Sequence, residues 1–216
     1  LLFILPFSCV YASNISLVYC HIPSPAQGPN TQCIYKTSEK KRYVNTNMPY
    51  ASCLHTLCTI DPKEPTRAIC NCPVIGADND TEAWKKMSVS TVFFEIIHPK
   101  YKGNELLEVP AAFSLASQHQ TNTCHFDKET NWANCAGRRC KAIYITNNGI
   151  TRPIAHCYCN IMKSKSFVSA GPRDSQDCKT EKNKLWSAIS EQQQKIDLAV
   201  IKDGYKRFHP ESPAAQ

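Results

Sequence analysis

A repeated pattern of cysteines constrains the fold of this 216-residue chain more than any other feature of its sequence. The segments YASCLHTLCTIDPKEPTRAICNCPVI, residues 50–75, and WANCAGRRCKAIYITNNGITRPIAHCYCNI, residues 132–161, share one layout. Each begins with an aromatic residue, Ala and a small polar residue, and continues with a C-x4-C pair, a polar turn, Thr-Arg and a C-x-C pair. Four cysteines in matching order indicate an internal duplication.

The second segment contains Asn148-Gly149, a dipeptide that favours the turn of a β-hairpin because both central positions of a type I′ turn need a positive φ. Residues rich in β-branched and aromatic side chains flank it on both sides. Cys140 and Cys157 each lie eight residues from the nearer turn residue, so the hairpin places them opposite each other. Facing Cα atoms lie about 4.5–5.5 Å apart, a separation that a disulfide can span. The register therefore predicts a Cys140–Cys157 disulfide.

The first segment predicts the same pairing through a different turn. Its DPKEP sequence, residues 61–65, has the composition of a turn. Cys58 and Cys70 lie six residues to either side of Glu64, near the centre of that turn. We therefore predict a Cys58–Cys70 disulfide, although the two turns differ in length.

The other two cysteines of each segment are predicted to form a second bridge beside the first, Cys53 with Cys72 and Cys135 with Cys159. This bridge is offset from the first by three residues, which indicates that the chain leaves the strand before its first cysteine. Because alternate residues of a strand share a face, both thiols of each C-x-C pair point to one side.

Four cysteines outside the two segments have weaker assignments. Cys20-His21 and Cys124-His125 precede the two segments, but at spacings that differ by more than twenty residues. Cys33 and Cys178 have no counterpart. They pair either with each other, which would tie the halves together, or locally with Cys20 and Cys124, and the sequence leaves both pairings open.

The N-terminal residues indicate export. The first ten residues form an apolar run too short to span a bilayer, and Val10-Tyr11-Ala12 has the pattern of a cleavage site. We predict that residues 1–12 are a signal peptide and that the mature chain begins at Ser13. Cleavage removes Cys9 from the thirteen cysteines and leaves an even number, as a disulfide framework requires. The alternative is a lipid on Cys9, although Pro6 stands where a lipobox normally has Leu.

The predicted fold class is mainly β, with a small α+β fold as a variant. Two disulfide-stapled β-hairpin units, residues 13–100 and 101–178, are followed by a helix and tail over residues 179–216. From Thr180 to about Lys202 the chain lacks Gly and Pro, which predicts an amphipathic helix with Gly204 as its C-cap. Its apolar residues recur at near-helical spacing: Leu185, Ile189, Ile196 and Val200.

The formal net charge of +7 favours a solvated basic surface, because the basic residues are scattered along the chain among acidic ones. Weak contact with acidic surfaces, such as anionic lipid or glycan, is the second interpretation. Nucleic-acid binding is not predicted, because no stretch interleaves aromatic and basic residues.

The cysteines and histidines allow a metal site as an alternative to disulfides. C-x4-C has a zinc-like spacing, but C-x-C is too tight to be its usual partner. His21, His55, His125 and His156 lie near the cysteines in sequence and could complete such a site. Export favours disulfides instead, because thiols oxidise in exported proteins. A thioredoxin-type redox site is not predicted, since the chain has no C-x-x-C.

The sequence predicts no catalytic residue and no cofactor. It lacks G-x-S-x-G, H-E-x-x-H and the phosphate-binding P-loop. We therefore expect an exported, non-catalytic protein, either a binding module or a structural subunit of a cell-envelope, periplasmic or extracellular assembly, with other proteins of that assembly as partners. The alternatives are a secreted hydrolase-like enzyme whose active site the sequence does not disclose and a Cys/His metal-binding protein.

Overall fold

The computed structural model describes residues 16–21, 32–36, 41–45, 49–76, 91–93, 99–114, 121–174 and 176–208. The predicted signal peptide, residues 1–12, and Cys9 within it lie outside the described residues. Over the described residues the chain is mainly β, which confirms the predicted fold class. The elements are β1 (Ser16–His21), β2 (Gln32–Lys36), β3 (Lys41–Asn45), β4 (Tyr50–Ala51), β5 (Leu57–Ile60), β6 (Arg67–Ile75), β7 (Thr91–Phe93), β8 (Lys100–Lys102), β9 (Glu105–Pro110), β10 (Phe113–Ser114), β11 (Asn122–Asn134), β12 (Arg139–Asn147), β13 (Ile150–Ser169), β14 (Lys184–Trp186) and α1 (Glu191–Phe208).

The strands form two sheets in which the neighbours run antiparallel. The smaller sheet has five strands in the order β1-β2-β3-β7-β10. The larger has nine, with β14-β5-β6-β13-β12-β9-β8 in order, β11 beside β13 and β4 beside β6. Strand β13 is twenty residues long, and it pairs with β12 and β11 along one edge and with β6 along the other. It is therefore the central strand of the larger sheet.

The hairpin of the second unit has the predicted turn and register. Asn148 and Gly149 have φ values of 50° and 77°, which are the positive values that such a turn needs. The ladder between β12 and β13 runs from Asn147 opposite Ile150 to Lys141 opposite His156. The described pairings of β6 and β9 with this hairpin stop before its end, and residues 144–152 around the turn are exposed.

The hairpin of the first unit closes on a turn that Asp61 organises. The Asp61 side chain accepts a hydrogen bond from the backbone N–H of Lys63 at 2.9 Å, which is the local bond that makes Asp a turn residue. The backbone N–H of Asp61 donates to the carbonyl of Arg67, and the Arg67 N–H donates to the carbonyl of Glu64. A surface ion pair joins Arg67 to Glu64 at 2.9 Å.

The two units meet through β6 and β13 at the centre of the larger sheet. Cys70 lies opposite Cys157, and these two cysteines are equivalent in the duplication. Cys72 faces Ala155, and its equivalent Cys159 faces Ala68. The units are thus related by an approximate two-fold axis, as the two halves of an isologous interface are. The proposed division at residue 100 stays a prediction, and strands from both sides of it contribute to one sheet.

The C-terminal helix is present, but it begins later than the sequence pattern predicts. Helix α1 starts at Glu191, after Ser190, whose hydroxyl accepts a hydrogen bond from the Gln193 N–H at 3.1 Å. This is N-capping by Ser, with an acidic residue in the first turn. Ile196 of the helix is buried, and Val200 and Ile201 are buried in one apolar group with Val168.

The predicted helix start at Thr180 and the predicted C-cap at Gly204 are both wrong. Residues Lys184–Trp186 form β14, which pairs with β5 and places Leu185 opposite Cys58. Gly204 lies within α1. The exposed edge of β5 supplies backbone partners to this segment, and such tertiary pairing overrides a helical periodicity in the sequence.

Candidate functional site

Five disulfides join ten of the described cysteines. Cys140 is bonded to Cys157 and Cys58 to Cys70, with Cα–Cα distances of 4.5 and 4.4 Å. These are the two bonds that the hairpin registers predict. The other bonds are Cys53–Cys72, Cys135–Cys159 and Cys124–Cys178.

The three-residue offset between the paired bridges has the same structural origin in both units. In the second unit the chain turns after Cys135, with the Arg138 N–H donating to the Cys135 carbonyl at 3.0 Å. In the first unit the Thr56 N–H donates to the Cys53 carbonyl at 2.9 Å. Each turn inserts three extra residues before the chain pairs again with the same partner strand, so the register of the ladder shifts by three.

The four bridges of the two hairpins form one buried group, which we call the disulfide cluster. Its sulfurs touch across the two-fold axis: the Sγ atoms of Cys53 and Cys157 are 3.6 Å apart, and those of Cys70 and Cys135 are 3.4 Å apart. Cys53 is equivalent to Cys135, and Cys157 is equivalent to Cys70. The two-fold axis therefore relates one of these sulfur contacts to the other. The small residues Ala51, Ala68, Ala133 and Ala155 pack around the sulfurs.

Two trios of cluster sulfurs are close enough to hold a metal ion. They are Cys53, Cys72 and Cys135, and Cys58, Cys70 and Cys135, with ligand atoms within 4.8 Å of one another in each trio. All five sulfurs are in disulfides, whereas a metal binds the thiolate. In this oxidation state the trios do not fit a metal.

The sequence left two pairings open for the four remaining cysteines. The described residues favour the local pairing, in which each unit forms its own bond. Cys124 is bonded to Cys178, and this bond packs against Trp132 and Phe167 in a separate apolar group. The bond rules out a pairing of Cys33 with Cys178. Strands β1 and β2 pair in a register that places the Cα atoms of Cys20 and Cys33 opposite each other.

We therefore expect a sixth disulfide between Cys20 and Cys33, because facing residues of antiparallel strands are within disulfide reach. Alkylation without reduction, followed by digestion and mass spectrometry, should recover a linked peptide pair that contains these two cysteines. Recovery of either cysteine as an alkylated thiol, or bonded elsewhere, would contradict the register argument.

The side of the larger sheet opposite the disulfide cluster forms a second feature, which we call the outer face. Adjacent residues of a strand alternate between faces, so the neighbours of the buried cysteines point outward here. The facing rows run from Thr59 through Ile69 to Tyr158 and from Asn71 through His156 to Lys141. Each outward residue is exposed or half-buried: Thr59, Ile69, Asn71, Pro73, Lys141, Ile143, Ile145, Arg152, Ile154, His156 and Tyr158.

Side-chain contacts order the centre of the outer face. His156 Nδ1 and Asn71 Oδ1 are 2.9 Å apart, a hydrogen bond between the two units. The ring of Tyr158 meets that of His156 edge to face, with 5.3 Å between centroids. Tyr158 is nevertheless 46% exposed. His156 points away from the adjacent Cys157 and from Cys159, so it is not placed to share a metal with them.

At one margin of the outer face, two cationic side chains pair with the carboxylate of Glu108. Its carboxylate lies 2.8 Å from Lys100 and 2.9 Å from Arg139. The hydrogen bond from Lys100 lowers the pKa of Glu108, and Arg139 adds to this effect, so the carboxylate stays ionised. Lys141 lies beside Glu108 in the ladder and forms no ion pair with another described residue.

The buried serines near the cluster have structural partners. The Ser169 hydroxyl bonds with the backbone carbonyls of Leu54 and Ser187 at 2.7 and 2.8 Å, and the Ser187 hydroxyl lies 3.4 Å from the sulfur of Cys135. Their hydroxyls connect segments of the core. Neither is paired with a histidine in the part of the chain that the structure describes.

Fold and site together define a disulfide-rich, mainly β protein, and its five disulfides are consistent with a protein of the extracellular type. None of its described helical segments combines the length and apolar character that a bilayer-spanning helix requires. Comparison with protein-family models, with curated proteins and with solved structures yields no match.

Proposed function

We propose that the protein is an exported, non-catalytic binding module or structural subunit of an extracellular or cell-envelope assembly, and that its outer face contacts other proteins. The supporting observation is the position of this face directly above the disulfide cluster. Tyr158 stands between Cys157 and Cys159 on β13, and Asn71 stands between Cys70 and Cys72 on β6. Tyr158 and Asn71 are thereby each held between two cysteines that form disulfides on the other side of the sheet.

A surface held in this way loses little conformational entropy on binding, which is the advantage of preorganisation. Its exposed residues include Tyr158 and Ile145, which supply contact area in protein interfaces. The five disulfides support an oxidising location, where such bonds persist. An enzyme would instead need a reactive group beside an acid or base, and a metal site built from the cluster cysteines would need thiolates.

Tyr158→Ala tests the proposal, with Tyr101→Ala as a matched control. Tyr158 lies on the outer face and Tyr101 lies on the edge strand β8, and they are 46% and 52% exposed. We expect Tyr158→Ala to weaken partner binding about tenfold or more, as loss of an interface tyrosine can, while Tyr101→Ala leaves it unchanged.

The measurement is cross-linking of each variant in the envelope or secretion fraction, followed by affinity capture and quantitative mass spectrometry. Loss of the same captured proteins in Tyr158→Ala alone would support the proposal. Recovery of the same partner proteins in equal amounts by the unmodified protein and by both variants would contradict a role for the outer face.

A further inference from the structure

We propose that Asn148 is a site of spontaneous deamidation, at which the hairpin turn of the second unit converts to a mixture of aspartate and isoaspartate. The reaction is a property of the turn itself and is independent of the outer face and of any partner. Three features of the turn favour it: the glycine that follows Asn148, the exposure of both residues, and the position of the turn at the end of the hairpin.

The reaction requires only water and the atoms of the turn. The backbone nitrogen of Gly149 attacks the side-chain carbonyl carbon of Asn148, and the new C–N bond closes a cyclic succinimide. The bond from that carbon to the amide nitrogen breaks, and the nitrogen takes up the proton given by Gly149 and leaves as ammonia. Water then opens the ring at either carbonyl. One opening gives aspartate, and the other gives isoaspartate, in which the main chain runs through the former side chain.

The residue after Asn148 leaves the attacking nitrogen open to approach. The chain contains one Asn-Gly dipeptide, at residues 148 and 149. In any other Asn-containing pair the following residue carries a Cβ atom, which crowds its own backbone nitrogen, whereas glycine permits close approach and a wide range of backbone angles. A Cβ atom built at Gly149 meets no atom within 4 Å beyond its chain neighbours, so the space around the turn is also open.

Both reacting groups are exposed to water. Neither the side-chain amide of Asn148 nor the N–H of Gly149 forms a hydrogen bond with another residue that the structure describes. The attack therefore breaks no such bond. The Asn148 φ of 50° and the Gly149 φ of 77° belong to the closed turn, so the peptide unit between them must rotate before the nitrogen reaches the side-chain carbon.

The end of the hairpin allows this rotation. We call residues 146–151 the hairpin tip. One exposed hydrogen bond between the hydroxyls of Thr146 and Thr151, at 2.9 Å, joins its two strands through their side chains. The described pairings of β6 and β9 stop before the tip. Because exposed ends of this kind open at low free energy, the turn can open without disturbing the rest of the sheet.

The products should change the hairpin tip and leave the disulfide cluster intact. Either product adds a negative charge, and isoaspartate also lengthens the main chain of the turn by one carbon. Turn length fixes the register of a hairpin, so the pairs next to the turn, including Ile145 with Arg152, should weaken. The Cys140–Cys157 disulfide holds the ladder further in. We therefore expect faster amide hydrogen exchange at the tip and unchanged exchange around the cysteines.

Incubation of the oxidised full-length chain in mildly alkaline buffer tests the proposal, with digestion, mass spectrometry and an isoaspartate-specific methyltransferase assay as readouts. Asn183 is the internal control, because it also has a positive φ, 68°, but is followed by Lys184, whose N–H donates to the Glu181 carbonyl at 3.1 Å. We expect Asn148 to lose its amide at least about tenfold faster than Asn183, because glycine leaves the attacking nitrogen uncrowded.

Asn148→Gly is the matched variant, since Gly-Gly also supports this type of turn and carries no amide to lose. It should keep the Cys140–Cys157 bond, form no isoaspartate at the turn and show unchanged hydrogen exchange at the tip after incubation. Retention of the Asn148 amide in the oxidised chain would overturn the proposal, and loss of that amide in the reduced and alkylated chain alone would show that the folded turn protects it. Equal rates at Asn148 and Asn183, or as much isoaspartate in the variant as in the unmodified protein, would also overturn it.

Discussion

Replacing both Cys140 and Cys157 by Ala is expected to lower the free energy of unfolding by about 3 to 5 kcal/mol. Their sequence separation of 17 residues corresponds to roughly 3 kcal/mol of loop entropy in the unfolded chain. Loss of the contact between the sulfurs of Cys157 and Cys53 adds a packing penalty, because neighbouring buried atoms lose their partners. Denaturant unfolding followed by tryptophan fluorescence measures the change.

The comparison variant is Cys124→Ala/Cys178→Ala, which removes a bridge outside the disulfide cluster. Its sequence separation of 54 corresponds to a larger entropic loss, roughly 4 kcal/mol. Both bridges are buried among apolar neighbours, so the comparison tests the added contact between the sulfurs of Cys157 and Cys53. We expect the Cys140–Cys157 variant to lose at least as much stability in spite of its shorter loop. Losses that follow loop length alone, or a loss below about 1 kcal/mol, would mean that the cluster adds nothing through packing.

The double variant Cys72→Ala/Cys140→Ala is expected to form a disulfide that the natural chain lacks, between Cys53 and Cys157. Removing one partner from each of two touching bridges leaves two thiols whose sulfurs are 3.6 Å apart in the native arrangement. Refolding with glutathione disulfide then joins them: the thiols give up two protons and two electrons, and glutathione disulfide becomes two glutathione molecules. We expect the new bond to be the major species in a non-reduced digest.

The variant related to it by the two-fold axis is Cys58→Ala/Cys159→Ala. It leaves the thiols of Cys70 and Cys135, whose sulfurs are 3.4 Å apart, and they should also form a new disulfide. Cys72→Ala/Cys178→Ala is the control, since it leaves Cys53 and Cys124 in separate apolar groups. Cysteines that remain open to alkylation in all three variants would show that the two hairpins do not meet at the sulfurs.

Local chemistry explains which parts of the fold could be predicted from the sequence. The Asn148-Gly149 turn sets its own register, so the bond between Cys140 and Cys157 follows from counting residues. The offset of the second bridge was predictable for the same reason, since it depends on one short turn in each unit. The C-x-C spacing also implies that Tyr158 points away from its neighbouring cysteines.

The pairing of β6 with β13 could not be predicted, because it joins positions far apart in sequence without a turn between them. The sulfur contacts across the axis depend on this pairing and were missed with it. The helix start was wrong for a related reason, since Leu185 belongs to a strand on the edge of a sheet that local spacing does not reveal. The exposure of residues such as Tyr158 on the outer face is likewise a property of the assembled sheet.

Because β6 and β13 belong to one chain, their pairing is intramolecular, and its effective concentration does not change on dilution. Two separate hairpins would associate in a concentration-dependent way, and each would present an open strand edge to unrelated strands. In this chain the edges of β6 and β13 pair with each other by backbone hydrogen bonds. Two of the strands at the margins of the larger sheet, β14 and β8, have three residues each, and β8 carries lysine at both ends. Short, charged strands of this kind resist edge-to-edge association at those two margins.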